Sequence, residues 1–457
     1  MTASGALVAG NGSIDDVVAR IERLPISWWH VRTRIIIGIA TFFDAFDALA
    51  IAFVLPVLVP MWKLNGPQIG LLISAGYVGQ LLGALFFGWF AERFGRIPAI
   101  FWSILTFAVM SLACAFAWDY GSLVAARAVQ GFGLGGEVPV AATYISELAR
   151  AKGRGRFVLL YELVFPIGLV AAGFMGTWIV PRFGWQWMFF IGALPAFVAL
   201  VLQRLIPESP RWLATRGRST EAQAALALIE RETEKATGKP LPTPHPVALE
   251  GPQTASWSDL FGPIYLRRTL VVWVIWFATY FFNYGLVIWL PTIYSTVFKL
   301  PLQQSLQYGL ITQAVGLCGA LTCALSIDRV GRRPWFTLAF AASAIALGAL
   351  FVLGPDSPQR VLALVSSGYF FVSVLSIGVY VYTPELYPTR SRAIAVGTAT
   401  AWLRFASILG PGIVGFIVGS GLGAVFLVFA AVAVVGAIVT ALFAVETKGR
   451  VLEQVSP

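Results

Sequence analysis

The chain alternates between long apolar runs and short polar or charged stretches. Apolar windows of roughly 20 residues recur, and each is long enough to cross about 30 Å of hydrocarbon as an α-helix. Lipid accepts only helices or closed barrels, because every backbone polar group must be satisfied internally. These runs are too long and too uniformly apolar for barrel strands, so we predict an all-α membrane protein. The twelve predicted transmembrane segments are residues 34–58, 68–91, 98–117, 121–145, 157–180, 185–204, 269–297, 304–326, 335–354, 359–383, 391–419 and 422–445.

The polar stretch 205–267 is charged and rich in proline, and it divides the twelve segments six and six. We therefore predict two six-helix bundles joined by a linker. Within the first residues, SIDDVVARIERL (13–24) is typical of a short amphipathic helix. The predicted units are a cytoplasmic segment 1–33, a bundle 34–204, a cytoplasmic linker 205–267, a bundle 268–446 and a cytoplasmic tail 447–457.

Composition and charge agree with a membrane protein. Hydrophobic residues make up 58% of the chain, charged residues 12%, and the mean hydropathy is +0.78, whereas soluble domains carry about 25% charged residues. Of 32 Lys and Arg, Arg127 and Arg404 lie inside segments and 26 fall on one side of the predicted topology, which leaves four on the other. This asymmetry predicts cytoplasmic termini by the positive-inside rule. It explains the net charge of +10 without a nucleic-acid partner.

The two halves share repeated motifs at equivalent places. ERFGR (92–96) follows the second segment, and DRVGRR (328–333) follows the eighth. SELARAKGRGR (146–156) follows the fourth segment, and PELYPTRSR (384–392) follows the tenth. Two halves related by a repeat predict a secondary transporter whose binding site lies at their interface.

These motifs resemble those of the major facilitator superfamily, and the resemblance covers essentially the whole chain. GWFAERFGRI (88–97) and DRVGRRP (328–334) are similar to the family's two loop signatures, with Glu92 where aspartate is usual and Ala324 in place of a glycine. Four further motifs are similar to those of the sugar-porter, organic-ion and aromatic-acid branches: RAVQGFGLGGEVPVAATYISE (127–147), PESPRWLATRGR (207–218), PELYPTRSRA (384–393) and ETKGRVLE (446–453). The resemblance implies a transporter that works by alternating access.

In this family, Arg–carboxylate pairs at the cytoplasmic helix ends latch the protein while it faces outward and break when it faces inward. Such pairs are geometrically specific and can be bidentate. The alternative is an ordinary solvated basic face that only sets topology. The resemblance assigns the latch role to Glu92, Arg93, Arg96, Glu147, Arg150, Glu208, Arg211, Asp328, Arg329, Arg332, Arg333 and Glu385.

Charged residues within the predicted membrane segments are candidates for function, since each Asp or Arg costs about 2.5–3.5 kcal/mol at a helix centre. Asp44 and Asp47 are three residues apart and share one face of the first segment. Proton-coupled sugar porters pair such an aspartate with the Arg of an RxxxG motif, which Arg127 matches. We predict proton coupling by Asp44, Asp47, Arg127 and Glu137, with Asp47 preferred as the titrating group. The alternative is that one aspartate caps a local helix break.

The substrate is predicted mainly from what the segments lack. The seventh segment keeps Asn283 but not the glutamine pair of sugar porters, and the tenth has no tryptophan. Aromatic residues replace the amides that a polyhydroxylated ligand needs. Arg404 stands where the organic-anion and aromatic-acid transporters carry an arginine, and guanidinium binds carboxylate bidentately. The predicted substrate-binding residues are Arg404, Tyr280, Asn283, Tyr284, Tyr380, Glu162 and Gln130.

TFFDAFDALAIAFVLPVL (41–58) and GGEVPVAATYISE (135–147) resemble the bacterial nicotinate and aromatic-acid:proton symporters of the family. This resemblance implies a monomeric bacterial inner-membrane symporter that imports a small carboxylate, nicotinate-like or benzoate-like, with a proton. A proton:sugar symporter is the main alternative, because the PESPRWL and ETKGR motifs favour it. A cation antiporter fits less well, because the fifth segment lacks a GxxxGP pattern. A non-transporting nutrient receptor is the alternative from another class. We expect no cofactor, no metal site and no enzymatic activity, since neither a metal-ligand cluster nor a nucleophile–base pair is visible in the sequence.

Overall fold

The computed structural model describes residues 14–150, 161, 163–244 and 257–449, and their regular structure is helical. This is the predicted all-α architecture. Three short 3₁₀ helices cover Trp257–Phe261, Val287–Trp289 and Val418–Ser420. The α-helices of the described residues are α1 (Ile14–Glu22), α2 (Trp28–Trp62), α3 (Gly66–Phe94), α4 (Arg96–Ala115), α5 (Tyr120–Leu148), α6 (Val164–Phe183), α7 (Gln186–Gly192), α8 (Pro195–Leu205), α9 (Pro210–Thr215), α10 (Ser219–Thr237), α11 (Tyr265–Gly285), α12 (Leu290–Thr296), α13 (Leu302–Val330), α14 (Arg332–Leu353), α15 (Pro358–Glu385), α16 (Thr389–Ile417) and α17 (Leu422–Phe443).

Within the described residues, eleven helical stretches are long and apolar enough to cross a membrane. The predicted fourth segment is not among them. It forms α5, a helix of 29 residues that carries Arg127, Gln130 and Glu137 in its middle, and these polar side chains lower its hydropathy. The count of twelve crossings and the cytoplasmic termini therefore stay predictions.

Helix α2 begins at Trp28, six residues before the predicted first segment. Ser27 precedes it with extended backbone, and the Ser27 amide donates to Nδ1 of His30 over 3.3 Å. This hydrogen bond satisfies a backbone donor that would otherwise lack a partner at the helix start. The helix thus extends into residues that we had assigned to the cytoplasmic segment.

Within the first half, α3 and α5 pack in close contact through glycine. A Cβ at Gly131 would lie 2.0 Å from the carbonyl oxygen of Gly76, and one at Gly79 would lie 1.9 Å from that of Ala128. Small residues let membrane helices approach in this way. The approach brings the polar middle of α5 towards α2 and α3.

The two halves meet through α3 against α16 and through α6 against α13. Ser74 Oγ donates to the carbonyl oxygen of Ile408 over 2.7 Å, and Thr177 Oγ1 lies 3.3 Å from that of Leu306. All four residues belong to the helix halves that the charge asymmetry assigns to the outer side. The halves are therefore in close contact at the predicted outer end.

The linker is more ordered than the sequence indicated. Helices α9 and α10 pack with α1, and the apolar face of α1, which includes Val17 and Ile21, is buried in the same cluster as Leu226. The predicted helix at 13–24 is confirmed as α1. Its Arg20 Nη2 lies 2.6 Å from Glu230 Oε2 on α10.

Candidate functional site

A buried ion pair joins α2 to α5 in the middle of the first half. Arg127 Nη1 lies 2.9 Å from Asp47 Oδ2, and Gln130 Nε2 donates to Asp47 Oδ1 over 2.8 Å. Arg127 Nη1 also donates to Gln130 Oε1 over 2.6 Å. Asp47 and Gln130 have no exposed surface, and Arg127 is 4% exposed. The predicted pairing of a first-segment aspartate with Arg127 is therefore present, and it uses Asp47.

Asp44 lies one turn earlier on α2 but in a different environment. It lines a cavity between the two halves, to which α16 contributes Arg404. Its Oδ1 atom is buried without a hydrogen-bond partner among the described residues. The Arg404 charge acts on Asp44, as does that of Asp47. The two aspartates on one helix face thus lie in different surroundings.

The cavity is lined by polar and aromatic side chains of both halves. Arg404 Nη1 donates to Oε1 of Gln80, which links α16 to α3. The rings of Tyr77 and Tyr284 also meet across the halves, with their centroids 5.0 Å apart. The polar and aromatic lining residues are Asp44, Gln80, Phe165, Tyr280, Asn283, Tyr284, Gln313, Tyr369, Ser373, Ser376, Tyr380 and Arg404.

Aromatic rings form one wall of this cavity. Trp276, Tyr280 and Tyr284 stack along α11, with centroid distances of 5.7 and 5.8 Å. Tyr380 meets the edge of Trp276 from α15 at 4.8 Å. Spacing of four residues places the three α11 rings one above another on one helix face. Such a wall is suited to a flat aromatic ligand.

The cavity holds more amides than the sequence reasoning expected. Asn283 was anticipated, whereas Gln80 and Gln313 were missed. The Tyr369 hydroxyl lies 3.2 Å from both Asn283 Oδ1 and Gln313 Oε1. Each of the two missed residues is a lone glutamine inside an apolar segment. Such a residue could have indicated a cavity, because a polar side chain is costly in lipid, as a lone aspartate is. The expected shortage of amides was wrong.

Two other predicted residues lie outside the cavity lining, and a third cannot be placed. Gln130, predicted to bind substrate, is hydrogen-bonded in the Asp47–Arg127 pair. Glu137 Oε1 accepts a hydrogen bond from Thr41 Oγ1 over 3.0 Å, which places this acid on the α2–α5 contact. Glu162 lies outside the described residues.

The two corners at the predicted cytoplasmic end repeat one arrangement of arginine and acids. Arg96 Nη2 lies 3.0 Å from Glu147 Oε1, and Arg96 Nη1 lies 2.7 Å from Glu92 Oε1. In the second half, Arg332 Nη2 lies 2.7 Å from Glu385 Oε1, and Arg332 Nη1 lies 2.9 Å from Asp328 Oδ1. Each of these pairs joins residues of the same half.

A further acid caps the helix that begins at each arginine. Glu208 accepts hydrogen bonds from the backbone N–H groups of Arg96 and Ile97 over 3.0 and 3.1 Å. Glu446 accepts them from Arg332 and Arg333 over 3.1 and 3.0 Å. An acid at a helix N-terminus satisfies free donors and complements the helix dipole.

The two capping acids differ in burial. Burial raises the pKa of Glu208, although three backbone N–H groups act in the opposite direction. Burial also disfavours ionisation of Glu446, but four backbone N–H groups outweigh it and lower the pKa of that carboxyl. The same capping geometry therefore favours the charged form more strongly in the second half.

The remaining predicted latch residues have other contacts. Arg93 lies over the rings of Trp89 and Phe94, 5.9 and 5.7 Å from their centroids. Arg211 Nη2 lies 3.3 Å from Glu22 Oε1 of α1. The other three have these contacts: Arg333 donates to the carbonyl oxygen of Ala441, the carbonyl of Arg329 accepts from Lys448 Nζ, and the charge of Arg150 acts on His30.

Comparisons with known proteins agree with this architecture. The family model described as sugar (and other) transporter matches residues 38–457. The niacin transporter NiaP of Acinetobacter baylyi is 36% identical over 451 residues, which is 96% of this chain and 99% of that protein. The putative niacin/nicotinamide transporter NiaP of Bacillus subtilis is 29% identical over 382 residues, with coverages of 83% and 86%. A crystal structure of a D-xylose–proton symporter superposes with a TM-score of 0.72 at 19% identity, covering 92% of this chain and 99% of that one.

Proposed function

The chain belongs to the sugar (and other) transporter family of multi-pass membrane transporters, within the major facilitator superfamily that its motifs predicted, and we propose that it imports a nicotinate-like aromatic carboxylate together with a proton. Its similarity over nearly the whole chain to a niacin transporter supports this substrate class. We place it in a bacterial inner membrane as a monomer.

The single observation that carries the proposal is Arg404 in a cavity that Tyr280 and Tyr284 also line. Guanidinium stays charged when it is buried and binds a carboxylate through two parallel hydrogen bonds. The stacked Tyr280 and Tyr284 rings offer flat surfaces to an aromatic ligand. Gln80 holds Arg404 from the opposite half, so that substrate binding would act on a contact between the halves.

The Asp47–Arg127 pair supplies a physical route to proton coupling. Protonation of Asp47 removes one charge of a buried pair and weakens its attraction to Arg127. Gln130 can remain hydrogen-bonded to the neutral acid, so the carboxyl keeps a partner in both states. Because α2 and α5 meet through this pair, its protonation would alter how two helices of the first half pack. Glu137 lies on the same helix contact through Thr41, and we propose that it takes part in proton movement there.

Alternating access fits the way the halves touch. The close contacts, such as Ser74 with Ile408, lie at the predicted outer end. The corner ion pairs lie at the other end, within each half. In the proposed cycle the halves rock about the central cavity. Because the corner pairs join residues of one half, we propose that they keep each half rigid while the outer contacts open, in place of the predicted latch between the halves.

A sugar–proton symporter is a second candidate, because three amides line the cavity. Gln80, Asn283 and Gln313 are the side-chain type that binds hydroxyl groups. All three already have partners: Arg404, Tyr369 and Ser376 occupy some of their hydrogen-bonding atoms. We favour the carboxylate because a sugar offers no charged group to the Arg404 guanidinium.

The test is uptake of labelled nicotinate into proteoliposomes with and without an inward proton gradient, in competition with benzoate and hexoses. Arg404→Ala should weaken nicotinate binding roughly 10- to 100-fold, the usual range for a lost hydrogen bond to a charged group. Arg360→Ala, which removes an exposed arginine paired with Asp356, is the matched control and should bind nicotinate normally. Sugar uptake that survives Arg404→Ala would contradict the proposal, and saturable binding without flux would indicate a receptor.

A further inference from the structure

The two aspartates of α2 differ in how far their oxygens are satisfied. Asp47 has Arg127 on one carboxylate oxygen and Gln130 on the other. Asp44 is 5% exposed, and its buried Oδ1 has no partner among the described residues. A buried polar atom without a hydrogen bond is costly. Asp44 therefore has a bond still to make, and it lines the cavity where a ligand would lie.

The cavity places this carboxyl and a guanidinium on opposite halves of the protein. Asp44 belongs to α2, Arg404 belongs to α16, and the Arg404 charge acts on Asp44. A ligand that satisfies both needs an anionic group at one end and a proton-binding atom at the other. A pyridine carboxylate has both, whereas benzoate has only the first.

We propose that Asp44 is a specificity-determining residue, which shares a proton with the ring nitrogen of an aromatic acid whose carboxylate lies on Arg404. The inference rests on the proposed function, since it requires an aromatic acid in this cavity. It gives the two aspartates different roles: Asp47 forms the ion pair with Arg127, and Asp44 recognises the ring nitrogen of the substrate.

The proton balance of this contact is simple. A neutral ring nitrogen accepts a hydrogen bond from the acid form of Asp44, and a protonated ring nitrogen donates one to the carboxylate form. One proton lies between the two atoms in either case, and no covalent bond changes apart from that to the proton. The contact is therefore satisfied with one proton, which either atom can hold.

Benzoate would occupy the same wall but leave Asp44 without its partner. Sites built to hydrogen-bond a ligand group discriminate strongly against analogues that lack it, because the polar atom of the site then stays buried and unpaired. Nicotinamide keeps the ring nitrogen but loses the carboxylate, so its binding should depend on Asp44 and not on Arg404.

The experiment measures the affinities of the purified full-length chain for nicotinate and benzoate at one pH. Wild type should prefer nicotinate by roughly tenfold or more, since the site has a polar group for the ring nitrogen. In Asp44→Ala this preference should fall to about twofold or less, mainly through weaker nicotinate binding, because the pairing atom is gone. Asp44→Asn keeps a donor for a neutral ring nitrogen and should retain an intermediate preference. Asp356→Ala, which removes an exposed aspartate that pairs with Arg360 and does not line the cavity, serves as the matched control and should keep the wild-type ratio.

An unchanged nicotinate-to-benzoate ratio in Asp44→Ala would overturn the inference. Equal binding of nicotinate and benzoate by wild type would also overturn it while leaving the proposed function intact. Failure of wild type to bind either acid would instead remove the proposed function. If Asp44→Ala does not fold, wild-type affinities for the three positional isomers of pyridine carboxylate decide. A preference for one nitrogen position supports the inference, and equal affinities for the isomers and benzoate overturn it.

Discussion

The corners of the two halves at the predicted cytoplasmic end are nearly the same, whereas their membrane cores are not. In each corner one arginine binds two acids, and a further acid caps the helix that begins there. At mid-membrane, the first half carries the buried Asp47–Arg127 pair. The second half carries Arg404 beside stacked tyrosines.

A glycine accounts for part of the likeness of the corners. Gly95 and Gly331 precede the capped helices with φ of 115° and 99°, in the region that favours glycine. A Cβ would lie 2.3 Å from Glu208 Oε2 at the first and 2.7 Å from Glu446 Oε2 at the second. Backbone and acid thus require one another in both halves, and a requirement of this kind tolerates little divergence.

The cores have no such shared backbone requirement, so they can differ. Alternating access requires each half to hold its shape while the two halves move, and the repeated corners serve that need. Under the proposed function, coupling and recognition are different tasks, and each half would supply one of them. Asp44 is the exception, because it lies on the first half and faces the cavity.

The largest expected effect comes from neutralising the charged core. Asp47→Asn should abolish proton-driven accumulation of nicotinate, because the amide keeps hydrogen bonds to Gln130 but cannot titrate. Nicotinate binding should change by about twofold or less, since sites without shared partners act nearly independently. Accumulation in proteoliposomes with a proton gradient, measured beside equilibrium binding, checks both parts.

Arg404→Ala provides the opposite pattern and sharpens the division between the halves. It should lose binding first, so that uptake falls with or without a gradient. The division fails if Asp47→Asn loses binding as severely as Arg404→Ala does. Abolition of coupling by Asp44→Asn while Asp47→Asn still accumulates substrate would exchange the roles of the two aspartates.

The sequence predicted the parts of this arrangement that depend on one segment or on the repeat. A first-segment aspartate paired with Arg127 was implied by the family resemblance, which also placed Arg96 and Glu147 among the latch residues without pairing them. Gln80 and Gln313 were missed, because their meaning depends on segments that are distant in sequence and meet only in the fold. The packing of α1 on the linker helices was missed for the same reason.

The next largest effect is expected on stability, when each of the two capping acids is neutralised. Glu446→Gln should lower the free energy of unfolding by about 1 kcal/mol at neutral pH, as for the loss of a typical hydrogen bond. Glu208→Gln should cost less, because burial raises the pKa of Glu208 and a neutral side chain suits its site. Thermal unfolding of the purified protein in detergent, followed by tryptophan fluorescence, measures the two variants side by side.

The two capping acids should make stability depend on pH in opposite directions. The lowered pKa of Glu446 means that its stabilisation is present above the unfolded carboxyl pKa and is lost as pH falls through the folded value. The raised pKa of Glu208 has the opposite effect: its contribution is present below the unfolded value and is lost as pH rises through the folded value. The loss of unfolding free energy in Glu446→Gln should therefore shrink as the pH falls. Equal losses in Glu446→Gln and Glu208→Gln at every pH would show that the two corners do not differ.

The smallest expected effect concerns the contact between α1 and the linker helix α10. Arg20 and Arg23 both bind Glu230, at 2.6 and 2.7 Å. Burial disfavours the charged form of Glu230, but the two arginines outweigh it and lower the pKa. Glu230→Gln should weaken docking of α1 by about 1 kcal/mol or less, as for a partly exposed ion pair.

Hydrogen exchange in residues 14–22 should then become up to roughly fivefold faster, the factor that corresponds to 1 kcal/mol. Glu221→Gln is the matched control, because Glu221 is an exposed acid on the same helix that pairs with Arg218 and not with α1. Since the Glu230 pKa is lowered, acidification through the folded value should lower the protection of these amides, relative to their intrinsic exchange at each pH, in wild type and leave that of Glu230→Gln nearly unchanged. Equal exchange in all three proteins would mean that the apolar face of α1, with Val17 and Ile21 buried, holds the helix without the ion pairs.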